Sequence, residues 1–471
     1  MTQTSIQPID RERLLAVIFD LFPWLRAYRH RPVRDYAAAI YDVGAEPASS
    51  SRSHARELLC RWIESKALQS GLGRNSAKKM ATELEDHPVL QTGPHLHLLI
   101  EPDAFFTHLF SLMGLRGRES RSYISYACST VKFAERSRKG PGWLRLGDQS
   151  FNVFGLSRRE MIPYSVLARN RAYNFQLAPS DANAGLSHER DTLSRLLPDG
   201  QFPCAAEAIK AGNRRLWANY FDEGIDFLQL DDDDVADLVV AHLADPKSWL
   251  CDRFLRDKAF PTTTLKTIDL LASTPWRNWL KNSTHFFWGC DDGRIFPMTL
   301  IDGFLGPRES QGQWEREGKA IAFTADGLIE ALGRRRIIPN LFIVFMVIAI
   351  LPGVRVLGGS RHTVYYPLMR HAFCSALSDG GRDDDLLRSL HHDRRPGAWG
   401  HRVISDQMEP FSILHSPEGN VSNLLSHYGS MSFDEACGSL SSFTEDPLWS
   451  DLSAALTTGA ASTMRSPWAF N

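Results

Sequence analysis

The sequence predicts an α/β protein with a Rossmann-like parallel sheet core and with flanking and inserted helical segments. Two observations support this fold class. Between His87 and about Ser165, short and partly alternating apolar runs are separated by turn residues, and a helical run lies among them. Strand, helix and strand in this order are typical of a parallel sheet. A second α/β-like stretch begins at Phe286 and contains the apolar run Leu341–Leu351.

The chain divides into five predicted segments. At 471 residues it exceeds the size at which a single hydrophobic core stops growing. Amphipathic helical patterns occupy its beginning and its middle, and polar, turn-rich sequence follows the second α/β stretch. The predicted segments are a helical N-terminal segment 1–85, a first core part 86–165, a helical insertion 166–285, a second core part 286–375 and a partly irregular C-terminal region 376–471.

Within the helical insertion, the acidic run Asp231–Asp234 stands where a helix is predicted to begin. Carboxylates at this position favour the positive end of the helix dipole by roughly 0.3–1 kcal/mol each. We therefore interpret the run as a solvated N-terminal cap and not as a metal site.

Composition indicates a soluble globular protein. Hydrophobic residues make up 43% of the chain, charged residues make up 23%, and the formal net charge is -2. This balance predicts no membrane partner and no extended nucleic-acid surface. Seven scattered cysteines argue against a disulfide framework. The longest apolar run is too short for a membrane helix, which needs roughly 20 residues, and no secretory signal is recognisable. We expect a cytoplasmic protein that acts on small molecules.

Several signatures of common enzyme classes are missing from the sequence. It contains no G-x-x-x-x-G-K-[ST] phosphate loop, no G-x-S-x-G nucleophile elbow and no H-E-x-x-H zinc motif. Candidate functional residues are therefore drawn from three looser constellations.

The first constellation is the histidine-rich stretch TGPHLHLLIEPDAFFTH. A turn at Gly93-Pro94 comes directly before His95 and His97. If residues 95–100 form a strand, the two histidines project to the same face, because side chains alternate along a strand. In one interpretation Thr92–His95 form a nucleotide-binding turn, in which the imidazole of His95 donates to a phosphate oxygen and His97 also contacts the ligand.

The same histidines support two other interpretations. His95 and His97 have the spacing of two metal ligands, with His108 or a remote carboxylate as the third. Alternatively, they are ordinary polar residues at the end of a strand. The sequence leaves these interpretations open.

The second constellation lies at the end of the next predicted strand, YISYACSTVKFA. Ligands bind at the carboxyl ends of strands in open α/β sheets. Lys132 is therefore predicted to neutralise phosphate or carboxylate charge, whereas Cys128 is interpreted as a buried structural thiol.

The third constellation is ILPGVRVLGGSRHTVYYPLMRHAF. Paired glycines let a backbone approach a ligand closely and can form an anion nest. Arg361 offers a fork of donors for a carboxylate or a phosphate, and a tyrosine pair adds an aromatic wall. The predicted ligand-binding residues beside Arg361 are Gly358, Gly359, Ser360, His362, Tyr365 and Tyr366.

Two of these stretches together resemble one enzyme family, the bacillithiol cysteine-adding enzymes. TGPHLHLLIEPDAFFTHLF is similar to the family's early Thr-Gly-…-Gly-Pro-Leu-Tyr segment, and the stretch through LPGVRVLGGSRHTVYY is similar to its later Leu-Pro and Gly-Gly segment. The resemblance covers about a sixth of the chain, and neither a long coiled coil nor a KMSKS-like loop is found. It implies a nucleotide-activating Rossmann-like core and carries over the residues Thr92, Gly93, Pro94, Gly358, Gly359 and Tyr365.

Together with what the resemblance implies, these constellations predict a condensing enzyme of thiol-cofactor or specialised-metabolite biosynthesis. It would form an amide or ester between an activated amino acid and a small amine, hydroxylamine or hydroxyl acceptor. His95 and Arg361 would face one shared cleft and stabilise phosphate or carboxylate charge there. Lys132 would position the acyl donor, and the two tyrosines would shape the acceptor pocket. ATP with Mg²⁺ would activate the amino acid, or an aminoacyl-tRNA would deliver it, in which case a basic face is required.

Two other functional classes fit the same residues. A metal-dependent oxygenase or hydrolase would use His95, His97 and a third ligand. A non-catalytic small-molecule-binding protein on a nucleotide-binding fold would use the same surface without turnover.

Overall fold

The computed structural model describes residues 8–44, 49–135, 138–180, 188–221, 223–381, 383–393, 397–406, 408–416 and 419–457. Within these residues the chain is a mixed α/β protein, as the sequence predicts. The end of the predicted C-terminal region 376–471 lies outside the described residues.

The described strands form three sheets. In chain order they are β1 Val89–Gln91, β2 Ser122–Tyr126, β3 Trp143–Leu146, β4 Gln149–Asn152, β5 Ala178–Pro179, β6 Asp226–Leu230, β7 Phe287–Asp291, β8 Arg294–Ile301, β9 Phe304–Pro307, β10 Ile321–Ala322, β11 Ile337–Pro339, β12 Arg355–Gly358 and β13 Gly397–Trp399.

Helices surround these sheets and fill the N-terminal segment. They are α1 Pro8–Leu21, α2 Pro23–Arg26, α3 Val33–Tyr41, α4 Ser50–Gln69, α5 Arg74–Asp86, α6 Pro102–Arg116, α7 Arg158–Met161, α8 His188–Leu196, α9 Ala205–Leu216, α10 Asp232–Ala244, α11 Ala259–Leu271, α12 Gln311–Arg316, α13 Ala325–Gly333, α14 Leu341–Phe345, α15 His362–Gly380, α16 Asp384–His392, α17 Pro410–Leu414, α18 Val421–Ser430, α19 Phe433–Ala436, α20 Ser441–Thr444 and α21 Pro447–Thr457. Three π-helical segments accompany them at Trp217–Phe221, Leu250–Leu255 and Met346–Ile350.

The central sheet is parallel throughout, in the order β13-β12-β1-β2-β6. After β1, the chain adds β2 and then β6 on one side of β1. It later adds β12 on the other side of β1, and β13 beyond β12. The chain thus reverses its direction of strand addition between β1 and β12. Every residue of β2 is buried, as expected for a strand that helices cover on both faces.

The parallel sheet includes strands that lie outside the two predicted core segments. β6 lies in the predicted helical insertion 166–285, and β13 lies in the predicted irregular region 376–471. Both strands are short and stand next to helices, so local periodicity gives little sign of them. Conversely, residues 95–100 are not a strand: β1 ends at Gln91, and a loop leads from it to α6.

The segment 286–375 contributes only β12 to the parallel sheet. Its other five strands form an antiparallel sheet in the order β10-β9-β8-β7-β11. Two of its hairpins turn at Asp292-Gly293, with φ of 50° and 84°, and at Asp302-Gly303, with φ of 49° and 82°. Asp-Gly is favoured in such turns because both positions require positive φ. A three-stranded antiparallel sheet, β3-β4-β5, follows the loop after β2.

No helix within the described ranges has the length and the apolar character that crossing a membrane requires. The apolar run Leu341–Leu351 is buried in the protein interior, where it forms α14 and the π-helical turn after it.

Candidate functional site

The two stretches that carry the predicted nucleotide-binding motifs meet at the carboxyl edge of the parallel sheet. β1 and β12 are direct neighbours, with Gln91 opposite Leu357. Just beyond this pair, the backbone N–H and the hydroxyl of Thr92 both donate to the carbonyl of Leu357, at 2.7 and 2.9 Å. The cis peptide Gly93-Pro94 follows. The reversal point of an open α/β sheet lies at this edge, and ligands of such sheets bind there.

A histidine from a third loop occupies the space between these two strand ends. His401 follows β13, and its Nδ1 lies 2.7 Å from the hydroxyl of Thr107 on α6. A Cβ atom on Gly93 would come within 2.6 Å of the His401 ring, and one on Gly359 within 3.3 Å. Both glycines are therefore explained by close packing against an imidazole of the chain itself.

Replacing Gly93 with alanine is expected to lower the free energy of unfolding by about 1–3 kcal/mol, because the new methyl group overlaps the His401 ring. Urea denaturation measures the change. Gly333→Ala is the matched control, since nothing lies within 4 Å of a Cβ atom at that helical position. Combining Gly93→Ala with His401→Ala should cost less than the sum of the two single changes, and strict additivity would contradict the contact.

The histidine–glutamate cluster, His95, His97 and Glu135, lies at the same edge. His95 and His97 precede α6 in the loop after β1, and Glu135 stands in the loop after β2. His95 Nδ1 is 2.5 Å and His97 Nε2 is 3.7 Å from Glu135 Oε1. The cluster thus joins two predicted site residues with a carboxylate that the sequence analysis did not single out.

A buried asparagine fixes the loop that carries the two histidines. Asn213 on α9 is fully buried; its amide donates to the carbonyl of His97 at 2.8 Å, and its oxygen accepts from the N–H of Leu99 at 2.9 Å. The N–H of Leu96 donates to the carbonyl of Cys128, which ties this loop to the loop after β2. These bonds to the backbone fix the path of the loop before any ligand binds.

Carboxylates dominate the electrostatics around the cluster. Burial opposes a charge on His97, but Glu135 and Glu101 raise its pKa above the usual value. Burial would raise the pKa of Glu135, yet the hydrogen bond with His95 and the nearby His97 hold it well below its usual range. Burial raises the pKa of Glu101, the N-cap residue of α6. The cluster therefore concentrates negative charge and imidazole nitrogens in one place.

Arg361 and Tyr365 line a second feature, the aromatic cleft. This cleft has a volume of about 700 Å³ and opens where α15 begins, directly beyond β12. Its walls include Trp279, Phe286, Trp288, Phe342, Tyr365 and Arg361. As far as the described residues define its lining, His95 is not part of it. The structure therefore places the two charged groups that we expected in one cleft at two separate features of the carboxyl edge.

An aspartate near the C-terminal end of the described chain holds the guanidinium of Arg361. Nε and Nη2 of Arg361 donate to the two carboxylate oxygens of this residue, Asp446, at 2.6 and 2.8 Å. The Arg361 side chain remains 53% exposed, whereas Asp446 is 12% exposed. The hydrogen bond with Asp446 raises the pKa of Arg361. The guanidinium is thus both charged and fixed in orientation.

The remaining predicted residues have contacts within the protein. Lys132 is exposed, and its backbone pairs with Ser165. The hydroxyl of Ser360 donates to the carbonyl of Ser442 at 2.7 Å. A Cβ atom on Gly358 would overlap the ring of His362.

Three other residues that were predicted for the site lie in the protein interior. His362 is fully buried and stacks on the ring of Tyr366, which is also buried. His108, the third metal ligand in one interpretation, is fully buried beside Tyr123, at 2.8 Å from its hydroxyl, and Trp217 packs against the same ring. Its place beside His95 and His97 is taken by Glu135.

Neither a known family model nor a curated protein sequence matches this chain. Its function is therefore inferred from the residues at the carboxyl edge.

Proposed function

We propose that this chain is a condensing enzyme that joins an activated amino acid to a small amine, hydroxylamine or hydroxyl acceptor. One observation carries the proposal: a fixed arginine, Arg361, lines an aromatic cleft at the carboxyl edge of the parallel sheet. The order of this sheet, with its reversal between β1 and β12, is consistent with a Rossmann-like core. Arg361 and Tyr365, which line the cleft, lie at the start of α15, directly after β12.

The aromatic cleft suits a substrate with one apolar part and one anionic group. Its volume of about 700 Å³ lies within the range of about 300–1,000 Å³ that is usual for small-molecule sites. Asp446 holds Nε and Nη2 of Arg361, and no described residue accepts a hydrogen bond from Nη1. This nitrogen is available to a carboxylate or a phosphate oxygen of the ligand. Tyr365 and Trp288 supply apolar walls.

The amino-acid donor distinguishes two versions of the reaction. ATP with Mg²⁺ would form an aminoacyl adenylate and release pyrophosphate, and the developing phosphate charge would then need a cation such as Arg361. An aminoacyl-tRNA would instead deliver the amino acid already activated. The aminoacyl-tRNA version would in addition require a basic surface on the protein.

Replacing Arg361 with glutamine is expected to weaken binding of a non-hydrolysable aminoacyl-adenylate analogue about 10- to 100-fold. A hydrogen bond to a charged group contributes about 1.5–3 kcal/mol, which corresponds to this ratio. Isothermal titration calorimetry across the amino-acid series measures the affinity and identifies the side chain that the cleft accepts. Pyrophosphate exchange with the same amino acid measures activation.

Arg256→Gln is the matched control, because Arg256 also donates to an aspartate, Asp252, at 3.0 Å on the protein surface. This variant should bind the analogue like the natural protein. Equal affinity of Arg361→Gln and Arg256→Gln would remove Arg361 from the site. Analogue binding without pyrophosphate exchange, and without transfer from aminoacyl-tRNA, would instead identify a non-catalytic binding protein.

A further inference from the structure

The histidine–glutamate cluster is a second chemical centre that the proposed condensation does not use. The three side chains each offer one donor atom, and these atoms all lie within 4.8 Å of one another. Two donor atoms that bind the same ion at about 2.1 Å stand about 3.0–3.5 Å apart. The separation of 3.7 Å between His97 and Glu135 is close to this range, and a small outward shift of Glu135 would bring its contact with His95 into it.

The surroundings of the cluster favour a bound cation. His97 is buried, with its side chain 7% exposed, and its Nε2 faces Glu135 at 3.7 Å, while its Nδ1 is buried without a hydrogen-bond partner. In the described chain, no lysine or arginine pairs with Glu135 or with Glu101. The nearby Lys139 instead pairs with Asp103 at 3.0 Å. Among the described residues, Glu135 therefore pairs with the two imidazoles alone, and Lys139 acts on Glu101 only as a more distant positive charge.

The donor set selects the class of ion. Imidazole nitrogens favour zinc, iron, cobalt and related first-row ions, whereas Mg²⁺ and Ca²⁺ prefer oxygen ligands alone. Three protein ligands leave coordination positions open, as in catalytic sites, while structural zinc sites use four. The His95 side chain is 50% exposed, so an ion and a further ligand can reach the cluster from solvent.

We propose that His95, His97 and Glu135 bind one divalent first-row transition-metal ion and leave coordination positions open for water or a substrate atom. The loop geometry supports this site: Asn213 fixes the backbone of the two histidines, and the N–H of Glu135 donates to the carbonyl of Lys139 at 2.9 Å, which ties down the backbone that carries the carboxylate. The metal site is independent of the aromatic cleft. A failure of the metal proposal would therefore not affect the proposed condensing activity, and the reverse also holds.

The test uses the full-length chain without a histidine tag, freed of metal by a chelator and dialysed. Zn²⁺ is titrated in competition with a chromophoric chelator, and Co²⁺ is titrated while its visible absorption is recorded. We expect one ion per chain for each metal. The Co²⁺ spectrum should show nitrogen and oxygen ligation without the sulfur charge-transfer band of a thiolate site.

Removing a ligand should abolish the stoichiometric site. His95→Ala and Glu135→Gln, both at partly exposed positions, are expected to lower the Zn²⁺ affinity at least about 100-fold, since changing a residue that only hydrogen-bonds to a metal ligand already costs about 10- to 100-fold. His30→Ala, at an exposed histidine outside the cluster, should leave the affinity unchanged. Circular dichroism shows whether each variant is folded. No stoichiometric binding by the natural chain, or equal binding by folded His95→Ala and Glu135→Gln, would overturn the proposal.

Discussion

Acidification from pH 7 to pH 5 is expected to lower the free energy of unfolding by about 6 kcal/mol through three buried histidines. His108, His242 and His362 are at most 1% exposed. Each has one ring nitrogen near a hydroxyl group, at 2.8, 2.8 and 3.3 Å respectively, while its Nε2 is buried without a partner. An imidazolium in any of these places would carry an N–H without an acceptor.

The sign of this effect follows from the pKa values. Burial lowers the pKa of His108 to about 3, of His242 to about 4 and of His362 to about 3, whereas an unfolded histidine titrates near 6.5. The unfolded chain therefore binds more protons between these values. Stability is fully present above about pH 6.5 and is lost progressively as the pH falls below it. Each histidine contributes about 2 kcal/mol between pH 7 and pH 5.

Guanidinium denaturation at a series of pH values measures this dependence. His242→Gln should reduce the slope of stability against pH by about one proton, because glutamine does not titrate. His30→Gln, at an exposed position, should leave the slope unchanged. If the natural chain and His242→Gln lose stability in parallel below pH 6.5, His242 does not take up a proton on unfolding.

Replacing Lys210 with methionine is expected to lower the free energy of unfolding by about 3–5 kcal/mol, the cost of leaving a buried charge without its partner. Lys210 Nζ lies 2.7 Å from Asp234 and 3.2 Å from Asp231, and Asp231 is 1% exposed. Burial would lower the pKa of Lys210, but the two carboxylates raise it above its usual value. Without the ammonium, Asp231 has to be protonated or remain as an unpaired buried charge.

Thermal and urea denaturation of four variants, Lys210→Met, Asp231→Asn, their combination and the control Lys79→Met, tests this explanation. Lys79→Met removes an exposed ion pair with Glu83 and should cost less than about 1 kcal/mol. Adding Asp231→Asn to Lys210→Met should restore part of the lost stability, since the amide removes the unpaired charge. A double variant as unstable as the sum of its single changes would show that lost packing, and not charge, causes the effect.

The acidic run at the start of α10 shows what local sequence can and cannot predict. The helix begins where the carboxylates predict it, with a capping box between Asp231 and Asp234. The expected exposure to solvent was wrong, because Asp231 and Asp232 are buried. Asp232 accepts hydrogen bonds from Tyr126 at 2.5 Å and from the N–H of Ser129 at 2.6 Å. These partners come from β2 and from the loop after it, both distant in the sequence, and helical periodicity does not reveal them.

The candidate site likewise combines features that the local sequence predicted with features that it could not predict. Period-two alternation suggested that His95 and His97 point to one side; they do face Glu135 together, although they stand on a loop and not on a strand. Glu135 itself lies in a charged loop sequence without a distinguishing pattern. Asp446 was beyond prediction as the partner of Arg361, because their contact joins residues 85 positions apart. Loops acquire such partners only when the strands that carry them have paired.

The position of β12 beside β1 also constrains how the chain is made. Thr92 and its acceptor Leu357 are 265 positions apart, so a ribosome releases most of the polypeptide before the middle of the sheet can close. Until then β1 keeps an open edge with unsatisfied backbone groups, which other strands can pair with. During synthesis, neighbouring helices or chaperones have to protect that edge. Truncated chains that end before Arg355 should therefore be prone to aggregate.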